Sequence, residues 1–248
     1  METNSKTNPG YIIRDHTAII TIPAFDGTLE TETFVYAFKD ICTELESNDQ
    51  IRAVILTSAM TADSKSDVQT RTDLPLTSEL IEHIDRPTIA AIENDAIGTG
   101  LELALACDLR IASRKSYFSL PQIGAGSIPH NGGTQTLPRL IGKGRALQMI
   151  LTGDSIGADE AFRIGLINMV EPPGMAMQKA MELAADMSKK APISLRFTRE
   201  AIRKGMDLTL DQGLTMEGDL YLLLYSTTDR IEGIEAFKEK RDPSFEGK

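Results

Sequence analysis

Several residue types are scarce in this sequence, and each scarcity narrows the classes of protein it can encode. Its 248 residues include no tryptophan, three histidines and two cysteines. Cys42 and Cys107 lie in apolar helical contexts and in no metal-ligand spacing, which predicts buried thiols in a reducing compartment and a cytoplasmic location. No apolar run approaches the roughly 20 residues that a membrane span needs, and Met1 to Gly10 lacks a signal-peptide core, so we expect no membrane partner.

Runs of positive charge are absent as well. The chain has 26 lysines and arginines against 36 aspartates and glutamates, a formal net charge of -10. An acidic chain without a basic run argues against nucleic acid as a partner. With 41% hydrophobic residues, this length predicts an α/β domain with a large core and a helical extension.

The pattern of apolar residues changes along the chain. Short strand-like runs alternate with helical periodicity to about residue 170, and Glu30 to Glu46 has the three/four spacing of an amphipathic helix. From Met175 onward the pattern is helical only. The run Leu220 to Tyr225 is too apolar to face water all round, so we expect the core or a sister subunit to cover it.

A strand, a glycine turn and a helix start follow one another at the centre of the chain. The buried run Thr88 to Ile92 precedes Gly98-Thr99-Gly100, after which Leu101 to Cys107 is apolar and helical. Glycines let a ligand approach the helix N-terminus, where unbonded N–H groups form an oxyanion pocket. Glu102, three residues after Thr99, should place a carboxylate on the same helix face.

Three longer segments resemble one known family. IAAIENDAIGTGLELALACDLRIAS, FSLPQIGAGSIPHNGGTQTLPRLIGKGRALQMILTG and GADEAFRIGLINMV resemble the enoyl-CoA hydratase/isomerase family, also called the crotonase family. The resemblance extends from about Ala53 to the C-terminal helices and is poor over 25–32 and 60–74. It implies an α/β fold, with a spiral of β-β-α units over residues 1–190 and a helical region over 191–248 that forms trimers or hexamers (dimers of trimers).

The resemblance also implies a ligand and the residues that hold it. The substrate would be an acyl-CoA thioester whose carbonyl binds the N–H groups of Thr99 and Ala62, the latter in the turn 61–64. Gly98 and Gly100 would shape that pocket, and contacts to CoA would come from Phe237 and Lys240 near the C-terminus. Because coenzyme A is part of the substrate, we expect no resident cofactor and no metal.

The acid/base residues depart from the family pattern. Hydratases of the family use two glutamates, of which the first matches Glu102, whereas the second position holds Gln122. A glutamine can hold a water through its amide but exchanges no proton at neutral pH. His130 stands where the family has a glycine, and the alignment predicts it at a helix N-terminus, where its imidazole would order a water.

Three functions remain open from the sequence. The first is a hydratase-like lyase in which Glu102 activates water and a non-standard acid/base arrangement completes the reaction. The second is an isomerase that moves a double bond with one carboxylate, although family isomerases usually keep the carboxylate at the position of Gln122. The third is a CoA-binding scaffold that has lost efficient chemistry.

Overall fold

The computed structural model describes residues 9–23, 32–58 and 76–248. Its first element is a hairpin, in which β1 (Gly10–Arg14) pairs antiparallel with β2 (Thr17–Ile22). Asp15 and His16 form the two-residue turn, with φ of 45° and 66°. Positive φ at both positions matches the twist that such a tight hairpin requires.

A six-stranded sheet forms the centre of the molecule, in the order β1-β2-β3-β4-β6-β9. Its other strands are β3 (Ala53–Ser58), β4 (Thr88–Ile92), β6 (Leu109–Ser113) and β9 (Met169–Glu171). Every pairing except β1 with β2 is parallel, and the inner strands are apolar along most of their length because helices cover both faces. A smaller sheet contains β5 (Ala96–Ile97), β7 (Tyr117–Ser119) and β8 (Ile156–Gly157).

The helices of the described chain are α1 (Glu32–Glu46), α2 (Thr77–His83), α3 (Thr99–Ala106), α4 (Gly133–Ile141), α5 (Lys143–Thr152), α6 (Ala158–Arg163), α7 (Ala176–Ser188), α8 (Pro192–Gly205), α9 (Leu210–Leu223) and α10 (Thr228–Glu239). Short 3-10 helices span Pro121–Ala125 and Leu224–Ser226. Among the described residues, no helix has both the length and the apolar character that crossing a membrane requires.

Apolar packing covers the two faces of the large sheet in different ways. On one face, Phe34 and Phe38 of α1 stack with ring centroids 5.7 Å apart and are fully buried. Burying each such side chain stabilises the fold by about 1.5–3 kcal/mol. On the other face α7 buries small residues at four-residue spacing, namely Ala176, Ala180 and Ala184, all with no exposed surface, and packs larger, partly buried side chains such as Met181 and Leu183 beside them. Small side chains let this helix lie close against the strands.

The C-terminal helices are attached to this core by polar contacts. Arg199 of α8 donates from Nε to both carboxylate oxygens of Asp108, at 2.8 and 2.7 Å, and from Nη1 to the carbonyl of Ile84 at 2.5 Å. The apolar run Leu220 to Tyr225 lies in α9 and the 3-10 helix that extends it. Helix α9 begins directly after Thr209, which caps it by exchanging hydrogen bonds with Gln212.

Candidate active site

The glycine turn leads directly into α3. Gly98 has φ 57° and ψ −129°, a conformation that a residue with a Cβ rarely adopts, and its N–H donates to the carbonyl of Ser119 at 2.9 Å. The helix begins at Thr99, two residues earlier than the apolar pattern predicted, and its first backbone bond joins Glu102 N–H to the Gly98 carbonyl. Thr99 N–H therefore lies at the positive end of α3, on the same face as Glu102.

Glu102 is buried, with 1% of its surface exposed. Its Oε1 accepts from the backbone N–H groups of Asn131, at 2.8 Å, and Gly133, at 2.9 Å. Gly133 is the first residue of α4, so the carboxylate lies at the N-terminus of this second helix as well. Two backbone donors and two helix dipoles compensate the charge of this buried carboxylate.

Gln122 binds the other oxygen of the same carboxylate. Its Nε2 donates to Glu102 Oε2 at 3.2 Å from the 3-10 helix that follows β7. This contact fixes the orientation of the amide, because the reversed amide would place two acceptors against each other. Gln122 Oε1 is then a buried acceptor without a hydrogen-bond partner in the described part of the chain. An unsatisfied buried acceptor indicates a place for a donor such as water.

His130 stands close to this cluster in the chain. It is half-buried and directly precedes Asn131, whose N–H binds Glu102. It lies in the segment before α4 and not in the helix itself, which begins three residues later. The prediction that His130 adjoins a helix N-terminus is thus confirmed to within one turn, whereas its water-ordering role stays a prediction.

A small cavity adjoins α3 at the carboxyl ends of the central strands. Ile22, Ser58 and Ile92, at the ends of β2, β3 and β4, line it together with Gly100 and Leu103 of α3. Ligands of parallel α/β sheets bind at this edge of the strands. The cavity is mostly apolar and reaches the glycine turn at Gly100, whereas Glu102 and Gln122 do not line it.

Comparison with known proteins identifies the family of this chain. A family model described as Enoyl-CoA hydratase/isomerase matches residues 24–248. The Bacillus subtilis protein YngF is 41% identical over 94% of this chain and 95% of its own length, and a crotonyl-CoA hydratase of Syntrophomonas wolfei is 42% identical over 67% and 64%. The solved structure of an enoyl-CoA hydratase from Bacillus anthracis superposes with a TM-score of 0.88 at 35% identity, covering 97% of this chain and 100% of that one.

The chain belongs to the enoyl-CoA hydratase/isomerase family. It is an enzyme of this family with the crotonase fold, an α/β core followed by C-terminal helices. An acyl-CoA thioester is the substrate class consistent with that membership.

The remaining predicted site residues of this family member lie elsewhere. Ala62, the second predicted oxyanion donor, falls outside the described residues. Phe237 lies on α10 with 86% of its surface exposed, and Lys240 ends that helix in a left-handed conformation, φ 56°. Within one chain, α10 contacts the 3-10 helix before it and the C-terminal segment, where Glu246 and Gly247 N–H donate to Asp229. The structure thus joins Gly98, Glu102 and Gln122 in one cluster and leaves the two predicted CoA contacts on the surface.

Two features of the enzyme had weak signals in the sequence. Asn131 was visible beside His130 but had no assigned role, although an asparagine between a histidine and two glycines signals a turn with local hydrogen bonds. Glu93, shortly before the glycine turn, caps α7, accepting from Gly174 N–H at 2.9 Å and Met177 N–H at 3.2 Å. The described residues contain no group of three or more His, Cys, Asp or Glu placed to hold a metal ion.

Proposed function

We propose that this enzyme adds water to a 2-enoyl-CoA thioester, using Glu102 as its single acid/base carboxylate. One observation carries the proposal: the N–H groups of the 131–133 turn hold Oε1 of the buried Glu102 carboxylate, the Gln122 amide donates to Oε2, and Gln122 Oε1 is a buried acceptor without a partner in the described chain. Such an acceptor is a place for a water. We assign Oε2, the oxygen that contacts Gln122, as the atom that takes and returns the proton.

The proposed reaction places charge on the thioester oxygen. As water adds, electron density moves to this oxygen and forms an enolate. The N–H groups of Thr99 and Ala62 are the proposed donors to it. Removing one such donor typically costs about 3 kcal/mol of transition-state stabilisation. The glycine turn supports this assignment because Gly98 and Gly100 place no Cβ on either side of Thr99.

Gln122 has a different role from that of the glutamate at this position in the family. The water would donate one O–H to Gln122 Oε1, which has no partner in the described chain, and the other to Glu102 Oε2. Its hydroxide adds to Cβ, and the proton that Glu102 has taken passes to Cα. All atoms of the water appear in the 3-hydroxyacyl product, and the carboxylate is regenerated. We propose that His130 orders this water or its neighbours.

The relatives support water addition as the general chemistry. One is named crotonyl-CoA hydratase, and it shares 42% identity with this chain. We propose that coenzyme A enters only as part of the substrate, with Phe237 and Lys240 as its C-terminal contacts, and that the enzyme has no resident cofactor. The two buried unpaired thiols suit a reducing cytoplasm, which is the proposed location.

We further propose that the enzyme assembles as a trimer or a dimer of trimers. Tyr221, Leu222, Leu223 and Tyr225 of the predicted apolar run are each more than half exposed in one chain. The alternative of a core helix within the same chain is thus unsupported in the described residues. Apolar patches of this kind usually mark protein interfaces.

Incubation with crotonyl-CoA in D₂O tests the reaction. Hydration lowers the enoyl absorbance and gives a product carrying one carbon-bound deuterium at Cα, detected by mass spectrometry. Unchanged crotonyl-CoA, together with conversion of a 3-enoyl-CoA to the 2-enoyl isomer, would favour the isomerase. Binding of the whole panel without turnover would favour the CoA-binding scaffold and reject both enzymes.

A further inference from the structure

Asn131 is buried, with 3% of its surface exposed, and every polar atom described for its amide has a partner. Its Oδ1 accepts from the backbone N–H of Ser78 at 3.0 Å and from the Ser78 hydroxyl at 2.8 Å. Its Nδ2 donates to the hydroxyl of Thr77 at 2.5 Å. Three hydrogen bonds thus join one side chain of the turn to the start of a helix 53 residues earlier in the sequence.

These contacts serve as the N-terminal cap of α2. The residue before this helix, Leu76, provides no side-chain cap, while Ser78 N–H belongs to the first turn. Helix N-terminal N–H groups need an acceptor, and an Asn oxygen is among the best. Asn131 supplies it from a distant part of the chain, so the turn and α2 hold one another in place.

The same residue also touches the carboxylate. Its backbone N–H donates to Glu102 Oε1 at 2.8 Å, beside Gly133 N–H at 2.9 Å. The side chain of Asn131 therefore fixes the position of its own N–H. Any rotation of the peptide that breaks the bonds to Ser78 and Thr77 also moves the donor that orients Glu102.

We infer that Asn131 is a positioning residue that locks Glu102 in its reactive orientation by tying the 131–133 turn to α2. This inference rests on the proposed role of Glu102 as the acid/base. The side chain of Asn131 bonds α2, and it acts on the reaction only through the backbone donor to Oε1. Reacting groups displaced by about 1 Å can lose roughly hundredfold in rate.

Replacing Asn131 by alanine tests the assignment. We expect Asn131→Ala to lower kcat for crotonyl-CoA by about ten- to hundredfold. The KM of this variant should stay within about threefold of the wild-type value. The same limit should hold for its affinity and binding stoichiometry for butyryl-CoA, a substrate analogue that has no double bond to hydrate. Calorimetric stoichiometry measures the folded, binding-competent fraction, so a partly unfolded sample cannot imitate the kcat effect.

Thr88→Val is the matched control for loss of a buried hydrogen bond. The Thr88 hydroxyl is buried at the start of β4, at the opposite end of that strand from the cavity, and it bonds Asp108 at 3.0 and 2.9 Å. We expect a comparable loss of melting temperature with kcat within twofold. Ser78→Ala, which removes one of the two donors to Asn131, keeps the test usable if the alanine variant at 131 does not fold, and should lower kcat about two- to fivefold.

The outcomes separate this inference from the proposed function. If the wild type hydrates crotonyl-CoA and the Asn131 and Ser78 variants keep kcat within twofold, Asn131 positions nothing and the hydratase proposal stands. If the wild type is inactive, the hydratase proposal fails. A crystal structure of the Ser78 or Asn131 variant then decides whether Asn131 positions the carboxylate of Glu102. A carboxylate turned away from Gly133 N–H would support the positioning role, and an unchanged carboxylate would overturn it.

Discussion

The site around Glu102 and helix α9 differ in how far a single chain buries their side chains. Glu102 is 1% exposed and its two oxygens accept three described hydrogen bonds, all from the same chain. Helix α9 has no buried residue at all, although it carries five leucines and a tyrosine. One chain is therefore sufficient to orient the acid/base group, whereas the C-terminal helices present a surface that one chain leaves uncovered.

Removing the carboxylate of Glu102 is the strongest test of the buried site. Glu102→Gln keeps an acceptor for the two backbone donors but cannot exchange a proton, so kcat should fall by about 10²–10⁴-fold while butyryl-CoA affinity stays within tenfold. The value of kcat is measured from the steady-state hydration of crotonyl-CoA. Glu79→Gln, an exposed glutamate on α2, is the control and should leave kcat unchanged. Retained activity in the Glu102 variant would remove this residue from the mechanism.

Crowding the carboxylate should have a smaller effect than deleting it. A Cβ at Gly133 would lie 2.8 Å from Glu102 Oε1 and 3.0 Å from Pro129 Cβ, closer than real contacts allow. Gly133→Ala should therefore displace Glu102 and lower kcat by about ten- to hundredfold. Gly144→Ala in α5 has nothing within 4 Å of its new Cβ and should leave kcat within twofold. Equal effects of the two substitutions on kcat would show that the packing around Glu102 is not critical.

The local part of this site could be read from the sequence, but its long-range part could not. The strand Thr88–Ile92, the bend at Gly98 and the helix position of Glu102 follow from composition and spacing within 15 residues. The donors to Glu102 come from residues 29 and 31 positions away, and no local pattern encodes that pairing. The replacement at Gln122 was visible, yet its hydrogen bond to Glu102 depends on the tertiary fold.

The same division holds for the fold as a whole. The alternation of strands and helices and the later change to helices alone were predicted, and the helix from Met175 onward is confirmed as α7. Glu93 caps this helix by accepting from Gly174 N–H, 81 residues further along the chain. This contact could not be predicted because it arises only when the sheet brings the two segments together. For α9 the apolar run predicted burial, while one chain alone leaves the run exposed.

The attachment of the C-terminal helices to the core can be broken at Arg199 of α8. Its pairing with Asp108 is partly buried, with 13% and 24% of the side chains exposed, and it also binds the carbonyl of Ile84. Arg199→Ala leaves Asp108 without this partner and should lower the free energy of unfolding by about 2 kcal/mol, measured by urea denaturation. Arg196→Ala removes a more exposed pair with Asp85 and should cost less than about 0.5 kcal/mol. Equal losses would show that the attachment does not depend on Arg199.

The exposed face of α9 can be tested by adding a charge. Leu222 is 66% exposed in one chain, so Leu222→Asp should not lower the stability of an isolated subunit by more than about 0.5 kcal/mol. If this face is an interface, a desolvated carboxylate there should shift a trimeric or hexameric species toward monomer in sedimentation velocity. Gln148→Glu, at an exposed position on α5, is the control for added charge. A wild type that is monomeric at all concentrations would reject the assembly.

The last prediction concerns the effect of pH on stability through the two buried thiols, Cys42 and Cys107. Burial raises the pKa of Cys42 and of Cys107 to about 12 from an ordinary value of 9.0. In the unfolded chain the thiols ionise at lower pH, so their stabilising contribution is complete below pH 9 and is lost as the pH rises toward 12. The free energy of unfolding should fall by about 1.5 kcal/mol for the two thiols together between pH 8 and 9.5. Urea denaturation of the double variant Cys42→Ala/Cys107→Ala should show a flatter pH dependence, and an equally steep one would assign the loss to other groups.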